Sequence, residues 1–589
     1  MTSFLLPKAE RKPSIIGSPQ QTEIWSTLAK SQTNLVVNAL AGTGKTTTII
    51  EGAKRLTLVP SRLNKVGFVA FNVAIKNELK RRLPPGVSAM TLHGLGLSLL
   101  SASIPEFEVD ADHNKINAIL DEVGNAYGYE SYWPKGLRYM TSQLTSLAKS
   151  YGITIPDAVP SFYSDETRSD LHTQLEDIAI HHGLDVKVET NQWYDMVLEA
   201  LYLSFRKTSQ VDFDDMVWLP LQLGVKPATS FATLMVDEAQ DLNIGQRQLV
   251  LLTSDRQAVI GDTNQSIYGF RGADSESIRN ILEALRTSSR GVTVQPLTVT
   301  RRCPQLVTEL ARRIVPEFEC LPDAVPGCIT ESEFDPINMA QPKDMILCRT
   351  NAPLVEAVYR FWSERRPAYI QGRDMAKPIK SLLSLLEPTT PEDLITKLRR
   401  FEDREATRIM SRKSLNDYAK ERHVSAMRDR VECLARIASS ADSISDINSH
   451  LDQIFVDKGE GIRLSTIHKA KGLEADRVMV LRPDLLPLPY AQQPWELRQE
   501  MNLAYVAVTR TRNQLDFLGG MPPALLSPVP APPLTDDQEE SNGEPNPTDP
   551  SPDLSTPEVH RGSPTRVEVV EDAPRRRSKR NPTSKRTRN

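Results

Sequence analysis

Residues 34–50, NLVVNALAGTGKTTTII, decide the fold. They begin with a short apolar run, pass through a turn that contains two glycines, and end in a pattern typical of a helix start. This order predicts a loop that holds phosphate groups, because backbone N–H groups at a helix N-terminus attract anions. The pattern GxxxxGK[ST] ends here in Gly44, Lys45 and Thr46, whereas Ala39 stands where the first glycine is usual. We therefore expect a nucleotide site at this turn.

Short apolar runs, each followed by a polar turn and a helix-like pattern, recur along the chain. They lie at residues 35–37, 66–70, 234–236, 258–260, 345–347 and 478–481. This alternation predicts βαβ units around parallel sheets, and thus an α/β fold. Ligands in such folds bind at the carboxyl ends of the strands. The polar residues directly after these runs are therefore the candidate site residues.

A second element, LMVDEAQD at residues 234–241, has two acidic residues directly after an apolar run. We expect Asp237 to hold Mg²⁺, directly or through water, and Glu238 to polarise the attacking water. The alternative is a surface acidic pair at a strand end, which is common. The fixed spacing to Gln240 and Asp241 favours the catalytic interpretation.

The third element, VIGDTNQSIYGFRGAD at residues 259–274, is the most specific. Gln265 is expected to reach a γ-phosphate. Tyr268, Phe270 and Arg271 interleave aromatic and basic side chains, which suits base stacking and backbone contact on a single nucleic-acid strand.

Two stretches lack the strand pattern and show helical periodicity, at about residues 110–203 and 391–451. Residues 521–589 are rich in Pro, Ser, Asp, Glu and Arg and nearly devoid of aromatics, which predicts disorder. This tail is acidic over 536–558 and basic over 575–588. It is either a solubilising tail, or a contact for nucleic acid or a protein partner, or a nuclear address.

The composition narrows the class of protein. A chain of 589 residues with 39% hydrophobic and 25% charged residues predicts several globular domains. We expect no membrane span and no secretory signal, because the sequence has no sufficiently long apolar run. The five cysteines form no CxxC pair, so neither a zinc site nor a disulfide framework is expected, which fits a reducing, intracellular compartment. The net charge of −4 does not exclude DNA binding, because a protein with a negative net charge can still have a local basic groove.

The phosphate loop, DEAQD and GDTNQSIYGFRGA occur in the order typical of UvrD/Rep-like superfamily 1A DNA helicases, which the chain resembles from about residue 18 to 517. The resemblance implies two RecA-like, parallel-sheet motor domains of the P-loop NTPase class, each with a helical insertion. The implied boundaries are 1–111 and 206–290 for the first motor domain, 112–205 for its insertion, 291–383 and 456–520 for the second motor domain, 384–455 for a reduced second insertion, and 521–589 for the tail.

The same resemblance implies ATP and Mg²⁺ as cofactors. The implied nucleotide-binding residues are Gln21, which would read the adenine edge, Ala41, Gly42, Thr43, Gly44, Lys45, Thr46, Thr47, and Glu474 near the ribose. Thr46 and Asp237 would hold the metal. Glu238, Gln265, Arg302 and Arg510 would be catalytic, with Arg510 as the arginine finger. Arg301 stands where the family usually has a tyrosine that stacks on adenine.

A further set of residues matches the family's DNA-contacting motifs. They are Phe71, Asn72, Thr91, His93, Tyr268, Phe270, Arg271, Thr466 and His468. A lone histidine is more often structural, and this alternative stays open for His93. Asp214 and Asp215 are expected to be structural, and Tyr505 is expected to pack near the DNA path. Glu500, Met501 and Asn502 stand where the family often has Glu-Arg-Arg, a form similar to the F-box DNA helicase branch, without an evident F-box.

Together these features predict an ATP-dependent DNA helicase that moves on single-stranded DNA and engages single-strand/double-strand junctions. The resemblance implies 3′→5′ movement, a monomer, and a location in the cytoplasm or nucleoid, or in the nucleus of a eukaryote. The nearest alternative is a translocase that strips proteins from DNA without unwinding it. A catalytically inactive scaffold is disfavoured because the nucleotide-site residues are chemically competent. We expect no nuclease domain after residue 517, because the sequence there has no pattern typical of a folded domain.

Overall fold

The computed structural model describes residues 16–57, 66–70, 72–104, 106–130, 132–134, 136–182, 184, 188–225, 231–267, 276–332, 336–411, 417–491 and 494–526. The strands in this part of the chain are β1 Asn34–Ala39, β2 Val66–Ala70, β3 Val87–Thr91, β4 Glu108–Val109, β5 Gln210–Val211, β6 Thr233–Val236, β7 Gln257–Gly261, β8 Val292–Leu297, β9 Val299–Thr300, β10 Glu319–Cys320, β11 Cys328–Ser332, β12 Met345–Cys348, β13 Ala368–Gln371, β14 Phe455–Val456, β15 Ile462–Thr466, β16 Ala475–Leu481 and β17 Thr511–Leu518.

The helices of the same residues are α1 Pro19–Lys30, α2 Lys45–Thr57, α3 Val73–Arg82, α4 Leu92–Ser103, α5 Asn114–Ala126, α6 Leu137–Ser150, α7 Asp165–His182, α8 Thr190–Arg206, α9 Phe213–Gln222, α10 Ile244–Thr253, α11 Ser277–Arg286, α12 Gln305–Ala311, α13 Pro336–Met339, α14 Ala352–Ser363, α15 Ala376–Leu386, α16 Pro391–Met410, α17 Asp417–Ala438, α18 Ile444–Ile454, α19 Pro494–Val508 and α20 Pro523–Leu526. Among these helices, none is both long enough and apolar enough to cross a membrane.

The first sheet is parallel throughout its described strands, in the order β3-β2-β6-β7-β1-β8. Strand β1 is buried along its whole length, as expected for a central strand that helices cover on both faces. Because all strands run the same way, their carboxyl ends meet at one edge. The α/β prediction with parallel sheets is confirmed.

The predicted boundary between residues 290 and 291 is wrong. Strand β8 follows that boundary, yet it pairs with β1 in the first sheet, with Leu35 opposite Thr293 and Ala39 opposite Leu297. The reason is geometric. Strand β8 is the edge strand beside β1, and the chain crosses to the second sheet only after it. The sequence pattern of β8 does not reveal which sheet it joins.

The second sheet is also parallel, in the order β11-β17-β16-β12-β15-β13-β14 among the described strands. Helices α15 to α18 lie between β13 and β14 in the chain, and they pack into one core with α14. The predicted tail begins too early. Ala524 and Leu525 of α20 are fully buried, because this short apolar segment packs on the core of the second sheet. The rest of the tail, 527–589, lies outside the described residues.

Helices α5 to α8 form the first helical region and share a core with parts of α4 and α9. The chain enters and leaves this region through one pair of short strands. Strand β4 pairs with β5 in parallel, with Glu108 opposite Gln210 and Val109 opposite Val211. The two ends of the region are therefore only one strand spacing apart, about 4.8 Å.

A buried ionic cluster at the start of α9 fastens this region to the first sheet. Asp215 accepts hydrogen bonds from Lys115 of α5 (2.5 Å), Lys149 of α6 (2.7 Å) and the Ser204 hydroxyl of α8 (3.0 Å). Burial opposes the ionisation of Asp215, but the two ammonium groups outweigh it and hold its pKa below the usual range. The expectation that Asp215 is structural agrees with these contacts. The sequence did not reveal its lysine partners, which are 100 and 66 residues away.

Candidate functional site

The phosphate loop follows β1 and leads into α2. Gly42 and Gly44 have φ values of 71° and 87°, a left-handed conformation that glycine adopts without strain. Ala39 replaces a glycine of the usual pattern, and the fold tolerates it because this residue is still the last one of β1. Thr43 closes the turn, since its hydroxyl donates to the Leu40 carbonyl at 2.8 Å.

Gly42 is also the point where the loop meets the segment after β8. A Cβ atom on this residue would lie 2.5 Å from Thr300 Oγ1 and 2.7 Å from Arg302 Cβ. The Gly42 carbonyl accepts a hydrogen bond from the Arg301 N–H at 2.9 Å. Arg302 is thereby held directly against the phosphate loop, although it is about 260 residues away in the chain.

Lys45 of the loop donates to two main-chain carbonyls, those of Ala39 (2.9 Å) and Leu40 (3.3 Å). Its ammonium nitrogen lies 3.9 Å from Asp262 Oδ2, at the carboxyl end of β7. The cation therefore lies within the loop, where a phosphate group would bind.

The predicted metal ligands lie side by side. The Thr46 hydroxyl donates to Asp237 Oδ2 at 3.4 Å across the ends of β1 and β6. Burial, together with the neighbouring Glu238 carboxylate, raises the pKa of Asp237 to about 7. A buried carboxylate whose negative charge is incompletely balanced favours a cation. Hydroxyl and carboxylate oxygens are the donors that Mg²⁺ prefers, so these residues fit the ion.

The described residues contain no group of three or more His, Cys, Asp or Glu side chains that could hold a metal ion.

Glu238 follows Asp237 in a left-handed conformation, with φ of 54°. This backbone is unfavourable for a residue with a Cβ atom and is found most often at functional sites. Burial opposes ionisation of the carboxyl group, but Lys45 and Lys471 outweigh it and lower the pKa of Glu238. The Gln240 amide donates to Glu238 Oε2 and fixes its orientation. Glu238 is thus a charged carboxylate with a fixed orientation beside the phosphate loop.

Gln265 lies in the loop after β7 and is almost fully buried. Its amide donates to Asp262 Oδ2 at 2.6 Å. Asp262 is the carboxylate that faces Lys45, so Gln265 is one contact removed from the lysine of the phosphate loop. Burial raises the pKa of Asp262.

The two predicted catalytic arginines both lie beside this site, and each is bound to protein groups. Arg302 Nε donates to Glu474 Oε2 at 2.6 Å, and its Nη1 donates to the Thr509 carbonyl at 3.2 Å. Arg510 donates to the Val506 carbonyl at 2.9 Å and is fully buried. Burial and the nearby Arg302 charge lower the pKa of Arg510 to about 10. Glu474, the predicted ribose contact, is in this state the partner of Arg302.

Gln21 is buried at the start of α1 rather than open to a base. Its Oε1 accepts from the Ser18 N–H at 3.0 Å and from Arg301 at 3.2 Å, and its Nε2 donates to Thr48 at 2.9 Å. The first of these contacts belongs to a capping box, which stabilises the helix start. Gln21 nevertheless lies beside the phosphate loop, since a Cβ atom on Gly44 would lie 3.5 Å from Gln21 Nε2.

Ala41 was predicted to bind nucleotide, but in this structure its backbone N–H is bound to a protein group. It is fully buried, and its N–H donates to the Tyr505 hydroxyl at 3.0 Å. Tyr505 itself has no exposed surface, and the expectation that it packs near the DNA path stays a prediction. It lies between the two sheets and packs edge-on against Phe318. Thr47 lies in the first turn of α2, next to Thr46.

An ion pair that the sequence did not reveal connects the two sheets. Lys471, after β15, donates to Asp241 Oδ2 at 2.5 Å and to the Gln265 carbonyl at 2.7 Å. Lys471 and Asp241 are both nearly buried. Burial raises the pKa of Asp241 to about 6, although the lysine opposes this shift. The nucleotide site is therefore framed by groups from both sheets.

The described candidates for DNA contact in the first motor domain lie at the carboxyl ends of β2 and β3. Asn72 and Thr91 act as helix caps, because their side chains accept from the Ile75 and Gly94 N–H groups. His93 packs edge-on against Phe213 at 5.7 Å, and burial lowers its pKa. These contacts support the structural alternative that was left open for His93.

In the second motor domain Thr466 ends β15 and is nearly buried, while His468 follows two residues later and is half-buried. The Thr466 hydroxyl accepts a long hydrogen bond from the Lys469 N–H at 3.4 Å. The predicted contacts Phe71, Tyr268, Phe270 and Arg271 lie outside the described residues.

Parallel sheets with a lysine-bearing phosphate loop at one carboxyl edge, and with arginines beside the second sheet, define a two-domain fold of the P-loop NTPase class. The family pattern described as UvrD/REP helicase N-terminal domain matches residues 20–286, and the pattern described as UvrD-like helicase C-terminal domain matches residues 377–518. The chain belongs to the UvrD/Rep-like helicase family, with two RecA-like motor domains.

Curated relatives agree with this assignment. F-box DNA helicase protein 1 of Schizosaccharomyces pombe is 24% identical over 519 residues, which cover 82% of this chain and 55% of the relative. ATP-dependent DNA helicase Rep of Buchnera aphidicola subsp. Acyrthosiphon pisum is 24% identical over 264 residues, 41% of this chain and 37% of Rep. ATP-dependent DNA helicase PcrA of Leuconostoc citreum is 36% identical over 107 residues, 16% of this chain and 14% of PcrA. The chain thus spans about half the length of the fission yeast relative and less of the bacterial ones.

Proposed function

We propose that this protein is an ATP-dependent DNA helicase that hydrolyses ATP and translocates on single-stranded DNA. The observation that carries the proposal is the convergence of Lys45, Thr46, Asp237 and Glu238 at one sheet edge, with Arg302 packed against the same loop. Phosphoryl transfer requires such a set of residues: a loop that binds the phosphates, a metal site, a base, and a cation that stabilises the negative charge developing on the transferred group.

In the proposed reaction Lys45 leaves the Ala39 and Leu40 carbonyls and neutralises the phosphates. Thr46 and Asp237 hold Mg²⁺, which when bound would offset phosphate charge. Glu238, ionised near neutral pH, accepts a proton from the attacking water. Arg302 exchanges Glu474 for the γ-phosphate, and Arg510 stabilises the charge of the transition state. An arginine in this role contributes roughly 10³–10⁵ in rate in related NTPases.

Movement along DNA follows from the dependence of these contacts on the γ-phosphate. Arginines that bind it draw the two motor domains together, and hydrolysis releases them. Asn72, Thr91, Thr466 and His468 are proposed to hold DNA beside Phe71, Tyr268, Phe270 and Arg271, with each stacked base contributing about 1–3 kcal/mol. The proposed direction is 3′→5′, which rests on the family resemblance alone.

The proposed substrate is single-stranded DNA and its junctions with duplex, in DNA repair, recombination or replication. Similarity to proteins called DNA helicases supports DNA rather than RNA. We further propose a monomer inside the cell, in the cytoplasm or nucleoid or in a eukaryotic nucleus, and a nucleic-acid or protein contact for the tail.

The second candidate function is a translocase that displaces bound proteins without productive unwinding. The nucleotide site described above would serve this function equally well, because both functions need ATP hydrolysis. Displacement of a labelled strand from a 3′-tailed duplex, beside displacement of a protein from single-stranded DNA, separates the two functions.

The proposal is tested by ATP hydrolysis with and without single-stranded DNA, for the wild type and for Lys45→Ala. We expect strong stimulation by DNA in the wild type and loss of hydrolysis in the variant, because the loop would lack its phosphate-neutralising cation. Lys54→Ala, at the other end of the same helix and partly exposed, is the matched control and should hydrolyse ATP like the wild type. A folded wild-type protein without hydrolysis under either condition would refute the proposal.

A further inference from the structure

The amide oxygen of Gln21 is fully engaged within the protein. Oε1 accepts the Ser18 N–H at 3.0 Å and Arg301 Nη2 at 3.2 Å. A backbone N–H and a guanidinium can only donate, which fixes this atom as the oxygen of the amide. A carbonyl oxygen has two lone pairs, and both are used here. Gln21 therefore has no free acceptor for a nucleotide base.

The amide nitrogen of Gln21 belongs to a chain of hydrogen bonds with a fixed direction. Nε2 donates to Thr48 Oγ1 at 2.9 Å, and that hydroxyl donates in turn to the Gly44 carbonyl at 2.9 Å. Because the Thr48 hydroxyl uses its own proton on Gly44, it can only accept from Gln21. An amide nitrogen has two N–H groups, so Gln21 keeps at most one donor for a bound base.

The neighbouring amide, that of Gln20, is bound to protein at both ends as well. Its Nε2 donates to Thr298 Oγ1 at 2.9 Å, and its Oε1 accepts the Thr298 N–H at 3.1 Å. The Thr298 hydroxyl donates onward to Glu319 at 3.2 Å, so this arrangement is fixed in direction too. Gln20 therefore does not supply the acceptor that Gln21 lacks.

Arg301 joins the phosphate loop to the start of α1. Its backbone N–H donates to the Gly42 carbonyl at 2.9 Å, and its guanidinium donates to Gln21 Oε1. The residue is exposed, and the guanidinium makes no other hydrogen bond within the part of the chain that the structure describes. A guanidinium carries several N–H groups and no acceptor. Arg301 therefore offers a bound nucleotide donors and a flat face.

These groups match the two purine bases in different ways. Adenine presents the acceptor N7 beside the donor N6, whereas guanine presents two acceptors, N7 and O6, at the same edge. The donors of Arg301 and the remaining donor of Gln21 suit N7 of both bases and O6 of guanine. Because these residues have no free acceptor, they neither bind the N6 amino group of adenine nor repel O6 of guanine.

We infer that the nucleotide site accepts purine nucleoside triphosphates without discriminating adenine from guanine, and that Arg301 determines this specificity. The inference rests on the proposed function and extends the substrates of the same site to GTP. The guanidinium plane can stack on either base, which adds affinity without selecting between them. Freeing Gln21 Oε1 to read adenine would break the capping box at the start of α1, so the protein itself opposes that rearrangement.

The test is steady-state hydrolysis of ATP and of GTP by the full chain in the presence of single-stranded DNA. We expect the two values of kcat/KM to differ by less than about 10-fold, the lower part of the range for one base-reading contact. Arg301→Gln supplies an amide with both a donor and an acceptor, the pattern that matches adenine. We expect this variant to raise the ATP/GTP ratio by about 5- to 50-fold. The change should lie in KM rather than kcat, because a base contact is the same in the ground state and the transition state.

Two control variants separate the chemistry of Arg301 from unspecific damage. Arg301→Lys keeps a donor-only cation and should keep the wild-type ATP/GTP ratio. Arg290→Gln makes the same chemical change as the test variant at an exposed position of the first motor domain. Arg290 precedes Gly291, whose carbonyl binds the Asn34 N–H at the amino end of β1, so it lies at the edge opposite the phosphate loop. This control should behave like the wild type.

Isothermal titration with ADP and with GDP measures base recognition apart from the chemical step. A wild-type protein that hydrolyses neither ATP nor GTP would refute the proposed function. Hydrolysis of ATP with a preference over GTP of more than about 10-fold would overturn the inference about base specificity alone. An ATP/GTP ratio that Arg301→Gln leaves unchanged, in hydrolysis and in binding, would overturn the role of Arg301.

Discussion

At the scale of single residues, the nucleotide site is a set of charges held by the protein itself. Lys45 binds the Ala39 and Leu40 carbonyls, and Arg302 binds Glu474. In the proposed function, nucleotide binding is an exchange of partners, in which phosphate oxygens replace protein oxygens. Affinity then depends on the difference between two sets of contacts.

At Gly42, both the backbone conformation and the close packing of neighbouring atoms disfavour a residue with a Cβ atom. We predict that Gly42→Ala abolishes binding of an ATP analogue and lowers stability, because the new Cβ would lie 2.5 Å from Thr300 Oγ1 in a residue with φ of 71°. The matched control is Gly128→Ala. Gly128 has φ of 78° but no atom within 4 Å of the added Cβ, so it isolates the conformational cost of about 1–2 kcal/mol. Isothermal titration with the analogue and unfolding in denaturant check both effects. Equal losses in the two variants would contradict the packing argument.

The residues of the nucleotide site were largely predictable, whereas their partners were not. Asp237 and Glu238 follow buried strand β6 directly, Lys45 follows β1 after the phosphate loop, and parallel strands bring such residues to one edge. The Tyr505 hydroxyl could not be assigned, because a tyrosine in the apolar run LAYVAV indicates core packing. Its partner Ala41 offers only a backbone N–H, which leaves no trace in the sequence. The capping roles of Asn72 and Thr91 were likewise hidden, because the same side chain suits a cap or a ligand.

At the scale of elements, the start of α9 fastens the first helical region to the first motor domain. Three helices of that region, α5, α6 and α8, send a polar group to Asp215. His93, a candidate DNA contact at the start of α4, packs against Phe213 of the same helix α9. The helix that attaches the first helical region, α9, therefore also contacts His93, which lies near the proposed DNA path.

We predict that Asp215→Asn destabilises the protein by about 3–5 kcal/mol, because it removes the carboxylate that pairs with buried Lys115 and leaves buried Lys149 with its longer pair to Asp212, at 3.3 Å. Lys115 and Lys149 are at most 2% exposed, so water cannot replace the lost partner. Asp121→Asn is the control, since its pair with Arg138 is exposed and is expected to contribute about 0–1 kcal/mol. Denaturant titration gives the difference, and limited proteolysis should show new cleavage within residues 114–206. A variant as stable as the control would show that the cluster does not hold the region.

At the scale of the whole molecule, the two sheets were predictable and their junction was not. Regular alternation of strand and helix patterns marks each parallel sheet. The edge strand β8 carries the same pattern whichever sheet it joins, so its place beside β1 required the structure. The same holds for α20, whose few apolar residues are lost in the average composition of a polar tail.

The ion pair between Lys471 and Asp241 is the strongest candidate for a contact that holds the two motor domains together without nucleotide. Both side chains are nearly buried, and the lysine also binds the Gln265 carbonyl. We predict that Lys471→Met opens the cleft, because Asp241 would be left buried and unpaired. Small-angle scattering of the nucleotide-free protein should give a larger radius of gyration. Lys469→Met, which breaks an exposed pair with Asp374 within the second motor domain, should leave the radius unchanged. Identical scattering from both variants would argue against the ion pair as a latch.

The pairing of β4 with β5 has a consequence for how this architecture can diversify. The chain leaves and re-enters the first motor domain at adjacent positions, Glu108 opposite Gln210 and Val109 opposite Val211. Segments whose ends nearly touch can be exchanged, lengthened or trimmed without altering the path of the surrounding chain. The helical region could therefore be replaced as one unit while the surrounding chain keeps its path. The buried Asp215 cluster sets the condition for such an exchange, because any replacement must supply new cations for that carboxylate.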